Sequence, residues 1–362
     1  MKTKTLALAG LAVLVIGGAV LYATGNLGDL QGRFGAASGG ISLVLASDTP
    51  RADIVVAGDA DVEVSKYTLS ATSEEFVVTD LQVNNRGTLG DMDHNINSVT
   101  LRYEDSSGAT AEQTAYLVTG VATFSGLDLY VSTASSADLT ILVDLNDISS
   151  LGSSATAGEK IQLYVSATGL RAVGQTSART ITNWTGSAPT KPNLMHVYET
   201  KPTLALSSSS PSGARSVSSS DEVFIFTVTA DANEKVELKN LKILLTSDAD
   251  FDTTAVTSAT LKEGAVTLAT ARVAFTDSSN AYVQFSFSGA EVAEGTTSSY
   301  TLVLDTNTLL DEDTGADDPL AVSINLGSAG SPGGLKWNDT NVDVTWVGNV
   351  SSTRLSGYTL TY

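Results

Sequence analysis

The stretch YTLSATSEEFVVTDLQV at residues 67–83 is answered by FTVTADANEKVELKNLKI at residues 226–243. In the first, Tyr67, Leu69 and Ala71 alternate with polar residues; in the second, Phe226, Val228 and Ala230 do the same. A period of two describes a strand with one buried face. Both stretches then change phase at the same point. Phe76 and Val78 are followed by Leu81 and Val83, as Val236 and Leu238 are followed by Leu241 and Ile243. One extra residue between two in-phase pairs predicts a β-bulge at Thr79-Asp80 and another at Lys239-Asn240.

Working outward, the chain matches itself in unbroken order at an offset of about 160 residues. Leu43–Ser47 with Pro50 matches Leu204–Ser208 with Pro211, and Ile96–Leu101 matches Val256–Leu261. Phe124-Ser125-Gly126 matches Phe287-Ser288-Gly289, and Leu139–Asp144 with Asn146 matches Tyr300–Asp305 with Asn307. Gly169-Leu170-Arg171 matches Gly334-Leu335-Lys336; Trp184 and Gly186 match Trp346 and Gly348; Tyr198 matches Tyr358. Solenoid units run to roughly 20–50 residues, so each copy here is a whole domain. Turn clusters such as Asp105-Ser106-Ser107-Gly108, Asp277-Ser278-Ser279-Asn280 and Ser331-Pro332-Gly333-Gly334 separate the short runs. The reading is all-β: two tandem homologous Ig-like β-sandwich domains, residues 41–199 and 200–362, preceded by an N-terminal hydrophobic helix over 1–25 and a Gly-rich linker over 26–40.

The segment Leu43–Pro50 (LVLASDTP), followed by the strand Tyr67–Ala71, resembles the repeats of tandem β-sandwich cell-surface proteins of uncultured bacteria and archaea. The resemblance covers both copies. It implies a surface-layer, adhesive or filament component without enzymatic activity, and it supplies no site motif.

Lys2 and Lys4 precede an uncharged run from Thr5 to Ala23. As a helix this run would reach about 28 Å, the thickness of a bilayer core. The leading lysines orient it with the following chain exported. Three fates are open: an uncleaved membrane anchor through residues 5–23, a cleaved signal, or a packed helix at the core of a filament. A signal cleaved after Ala23 would place Leu21 where a small residue belongs. The filament helix of type IV pilins carries a glutamate near its start that this run lacks.

Forty acidic residues against twenty basic ones give a net charge of −20. A phosphate backbone would be repelled, so nucleic acid is not an expected partner. The absence of cysteine excludes disulfides, thiolate metal sites and cysteine nucleophiles. His94 and His196 have no counterparts in the second copy and read as solvated side chains; a zinc site would want more ligands of this kind. There is no G-x-S-x-G elbow and no glycine-rich phosphate loop leading into a helix.

The acidic turns are the candidate metal sites. Asp91 and Asp93 in one copy, and Asp248, Asp250 and Asp252 in the other, alternate in a way that can aim several oxygens at one Ca²⁺. Asp144, Asn146 and Asp147, and the loop from Asp311 to Asp318, are further acidic clusters. The competing reading is a solvated loop that keeps strand edges from pairing. Asn183, Asn338 and Asn349 head Asn-x-Ser/Thr sequons. Trp184 and Trp346 read as core, and Trp337 as an exposed candidate for stacking on a sugar.

Two functions follow. One is a structural subunit that self-associates into a surface layer or filament, with Ile41–Ala46 or Gly357–Tyr362 as strand donors. The other is an adhesin binding a glycan or protein.

Overall fold

The computed structural model describes residues 12–16, 19–23, 39–86, 94–148, 155–248, 251–310, 318–348 and 352–362. The regular secondary structure of the described residues is nearly all strand, with one four-residue helix at Thr306–Leu309.

In the N-terminal half, one sheet runs in the spatial order Gly40–Leu45, Val62–Thr72, Ala137–Leu145, Ile96–Glu104, Thr110–Ala115. A second sheet is centred on Phe76–Asn85, which pairs with Val121–Val131 on one side and with Leu163–Val165 and Arg171–Gly174 on the other. The C-terminal half repeats the plan. Pro202–Leu206, Asp221–Ala230, Thr297–Leu304, Ser258–Glu263 and Val266–Phe275 lie in that order; Val266–Phe275 also pairs with Asn280–Val292, the neighbour of the central Val236–Thr246, so the two layers join into one 13-stranded sheet.

Alternation sends one side of each strand into a shared core. Tyr67 and Leu69 from the first sheet meet Phe76, Val78, Leu81 and Val83 from the second, all at or below 1% exposure. Phe226, Val228, Val236, Leu238, Leu241 and Ile243 do the same in the other half. Fully burying each such side chain stabilises by about 1.5–3 kcal/mol.

Both bulges are present. Asp80 and Val78 pair with the successive residues Arg171 and Ala172 on one side and with Ser125 and Leu129 on the other, while Thr79 is left out of both ladders. Lys239 is skipped in the same way between Leu238 and Asn240. The neighbouring strand bows out opposite the bulge, through residues 126–128 in one half and 287–289 in the other. Gly126 (φ 73°) and Gly289 (φ 76°) take the left-handed backbone needed there.

The described residues of the segment expected as a helix over 1–25 are not helical; residues 1–11, 17–18 and 24–25 lie outside them. Ala12–Ile16 and Ala19–Ala23 are antiparallel strands, with Ile16 opposite Ala19. The apolar run is two runs split by Gly17-Gly18, the dipeptide of a two-residue hairpin, and its valines and isoleucine favour strands. Among the described residues no helix is long and apolar enough to cross a membrane.

Of the expected strand donors, the C-terminal one is paired on both sides and the other is an edge strand. Leu360–Thr361 pairs with Pro319–Leu320 and with Gly213–Ala214, one on each side. Gly40–Leu45 pairs with Val62–Thr72, and Ile41 O on its outer side accepts the Thr185 N–H at 2.7 Å.

Candidate functional site: the joint between the two cores

Most buried apolar residues sort into two clusters, one on each side of residue 198. The exception is informative. Ile54, from the N-terminal half, packs into the C-terminal cluster with Tyr198. The joint is built around these residues and the segment that follows Tyr198.

Met195–Tyr198 is a strand running parallel to Ile54–Val56 and antiparallel to Lys160–Ile161. It delivers His196 and Tyr198 to the joint. The His196 ring meets Trp346 edge-on, with centroids 5.1 Å apart, and Tyr198 meets Trp337 at 6.0 Å. Such pairs add about 0.5–1.5 kcal/mol beyond their burial. Trp337 is fully buried, and its Nε1–H donates to the Trp346 carbonyl at 2.9 Å.

Polar contacts fix the direction of the chain as it leaves Tyr198. The Glu199 N–H donates to Asp339 Oδ2 at 3.1 Å. The Glu199 carboxylate accepts from Thr340 Oγ1 and Asn341 Nδ2, each at 2.5 Å. Asp339 Oδ1 accepts the N–H groups of Asn341 (3.0 Å) and Val342 (2.8 Å), so one fully buried side chain shapes the loop and grips the incoming chain. Thr200 Oγ1 donates to the Glu234 carbonyl at 2.6 Å. Across the joint, Asn233 Nδ2 donates to the Ala57 carbonyl (3.0 Å) and to Asp59 Oδ1 (3.3 Å). Gly348 is required: a Cβ there would lie 2.1 Å from Asp53 Oδ1 and 3.0 Å from Ile54 Cβ.

Burial sets the ionisation of the joint. It lowers His196 to about 4, with Lys160 adding repulsion, so the ring is neutral at pH 7. Burial raises Asp59, and the nearby Asp231 carboxylate raises it further. Burial also raises the Tyr198 hydroxyl, with Asp339 contributing.

The sequence-derived candidates fall elsewhere. Asp91, Asp93 and Asp250 lie outside the described residues. Asp248 is exposed, and Asp252 accepts from Thr254 N–H (2.9 Å) and Oγ1 (2.6 Å), which closes its own turn and holds its carboxyl below the usual range. Asp144 accepts from Ser98 Oγ and Asp61 N–H, while Asn146 Nδ2 donates to the His94 carbonyl. Among the described residues no group of three or more His, Asp or Glu side chains could hold a metal ion. Two expectations are corrected outright. His196 is 8% exposed rather than solvated, and Trp337, expected outside, is 0% exposed. Of the sequons, Asn183 is exposed, Asn338 donates to Asp343, and Asn349 lies outside the described residues.

Glu199, Asp339 and Asn233 were not signalled by any motif. One signal was available. The chain between the cores, His196-Val197-Tyr198-Glu199-Thr200-Lys201-Pro202, lacks the glycines and serines of a flexible linker.

Fold and site together define an all-β protein with two cores and a buried polar and aromatic joint. No protein-family model matches the chain, and no curated protein matches it. Among solved structures, it aligns with the RrgB pilus protein of Streptococcus pneumoniae at 9% identity, covering 81% of this chain and 50% of that one, with a TM-score of 0.22. The major pilin SpaD of Corynebacterium diphtheriae aligns at 13% identity, covering 76% and 64%, with a TM-score of 0.20. The collagen adhesin of S. aureus aligns at 7% identity, covering 89% and 91%, with a TM-score of 0.18. The chain thus spans half to two thirds of the two pilus proteins it matches. Superpositions this loose transfer neither family nor function.

Proposed function

We propose that the chain is a non-enzymatic, structural protein of the cell surface: a stiff rod of two Ig-like β-sandwich copies that self-associates into a layer or filament. The observation that supports this reading is the buried joint. A binding or catalytic protein whose halves must move would connect them through a solvated linker. Here Tyr198, Glu199 and Ile54 are locked into the second core by aromatic packing and charge-assisted hydrogen bonds. Lys2 and Lys4 ahead of the apolar run support export, and a charge of −20 supports solubility at high surface density.

Electron microscopy of the purified exported region tests the proposal. Straight particles of one length that order into sheets or filaments are expected. Particles with a broad spread of angles at the centre, or strictly isolated rods at every concentration, would overturn it.

A further inference from the structure

Beside the joint lies a groove of about 560 Å³ with walls from both halves. Arg51, Asp53 and Glu63 line one wall; Ala329, Trp346 and Val347 line the other. Its volume falls in the roughly 300–1,000 Å³ range of small-ligand sites, which favour interfaces between packed units. Structural rigidity alone does not require such an opening.

We propose that this groove binds a short neutral oligosaccharide. Arg51 and Glu63 are exposed and neither side chain takes a hydrogen bond or a close ion pair among the described residues, Glu63 lying near enough to Arg102 to stabilise its charge. Asp53 is held in place from behind, its Oδ1 accepting the Ile54 N–H at 2.6 Å. Planar guanidinium and carboxylate groups suit adjacent hydroxyls, which accept from the first and donate to the second. A neutral polyol therefore satisfies both signs at once. An anionic ligand meets two carboxylates on a chain of charge −20, and a cationic one meets Arg51. The other wall adds a small apolar contact for the C–H face of a ring: half-buried Ala329 beside Trp346 and Val347, which are 7% and 1% exposed. This binding is independent of whether the rods assemble.

Saturation-transfer NMR on the full chain tests the proposal with maltotriose, cellotriose and triacetylchitotriose as probes. 3′-Sialyllactose and a trilysine peptide serve as charged controls. At least one neutral trisaccharide should bind with a Kd of about 0.1–1 mM, and Arg51→Ala and Glu63→Gln should each weaken it about tenfold or more with the melting temperature unchanged. The proposal fails if no neutral probe binds at about 10 mM, if only a charged control binds, or if both variants bind like the parent.

Discussion

The two halves carry the same loop in the same place and use it for opposite ends. In each half, the strand that pairs with the bulge (Arg171–Gly174 or Leu335–Asn338) turns back into a two-residue strand, Thr180–Ile181 or Asp343–Val344. The loop between them holds a carboxylate. In the N-terminal half the loop takes Glu74 from its own half, through Thr176 N–H (3.2 Å), Ser177 N–H (2.9 Å) and Ser177 Oγ (2.7 Å). In the C-terminal half it takes Glu199 from the chain that arrives from the other core. The first contact is exposed; the second is part-buried, joining a buried Glu199 to the exposed Thr340 and Asn341. Moving the donor of one carboxylate thus turns a closed tip into a joint, on an unchanged strand frame. Tests that separate the two loops therefore test the joint.

The largest effect is expected from Trp337→Ala, which removes the largest buried side chain of the joint and its bond to the Trp346 carbonyl. A loss of about 3–5 kcal/mol is expected in chemical denaturation. If the joint couples the halves, calorimetry should also resolve two transitions where the parent shows one. A single undivided transition in the variant would mean that the halves are coupled by something else.

A pH series addresses His196. Its folded value near 4 lies below the unfolded 6.5, so the unfolded chain binds more protons between them. Stability is full above about pH 6.5, falls as the pH drops towards 4, and is flat in this respect below that. The fall amounts to about 3 kcal/mol, and His196→Phe should remove that part of the slope. The Glu74 loop has no such group, so the corresponding slope belongs to the joint alone. Equal slopes in parent and variant would show that His196 is solvated in solution.

Asp339→Ala should cost about 2 kcal/mol, because it strands the N–H groups of Glu199, Asn341 and Val342 together. It should also widen the distribution of end-to-end distances measured between spin labels placed in the two halves. Loss of stability with an unchanged distribution would show that the loop is merely folded by Asp339 and does not orient the chain.

How much of this was legible in sequence depends on the range of the interaction. The bulges were readable because a phase shift leaves two in-phase apolar pairs on either side of Thr79 or Lys239. Register by motif was less secure. Phe124 lies opposite Leu81 and Phe285 opposite Leu241, so Phe124-Ser125 corresponds to Phe285-Ser286, two residues before the matched Phe287-Ser288. A Phe-Ser alternation repeats every two residues, and either copy keeps its aromatic rings on one face. The match of Tyr198 to Tyr358 fails likewise. Thr361 pairs with Pro319 and Ala214 as His196 pairs with Lys160 and Ile54, and Tyr358 is 48% exposed. The contacts of the joint were not legible beyond the linker's lack of glycine and serine, because Glu199 and Asp339 are 140 residues apart and polar contacts of that kind have no period. In the N-terminal segment the length of the apolar run points to a helix, while its valines and isoleucine favour the strands Ala12–Ile16 and Ala19–Ala23.

The smallest effect is expected from Glu74→Ala, and it decides whether the comparison holds. Glu74 accepts three bonds from the loop at 174–179, and these bonds hold its carboxyl below the usual range, with Ser177 the leading cause. Yet these contacts are exposed, so water satisfies the freed N–H groups when the side chain is removed. A loss under about 1 kcal/mol is expected. Glu199→Ala removes two bonds rather than three, but from a side chain that is 7% exposed, and Thr340 and Asn341 lose a charged partner beside the buried Asp339. It should therefore cost about twice as much or more. The spin-label distances should respond to Glu199→Ala and not to Glu74→Ala. Equal stability losses, with distances moved by both, would mean that the two loops do the same work and that burial at the joint adds nothing to the carboxylate it holds.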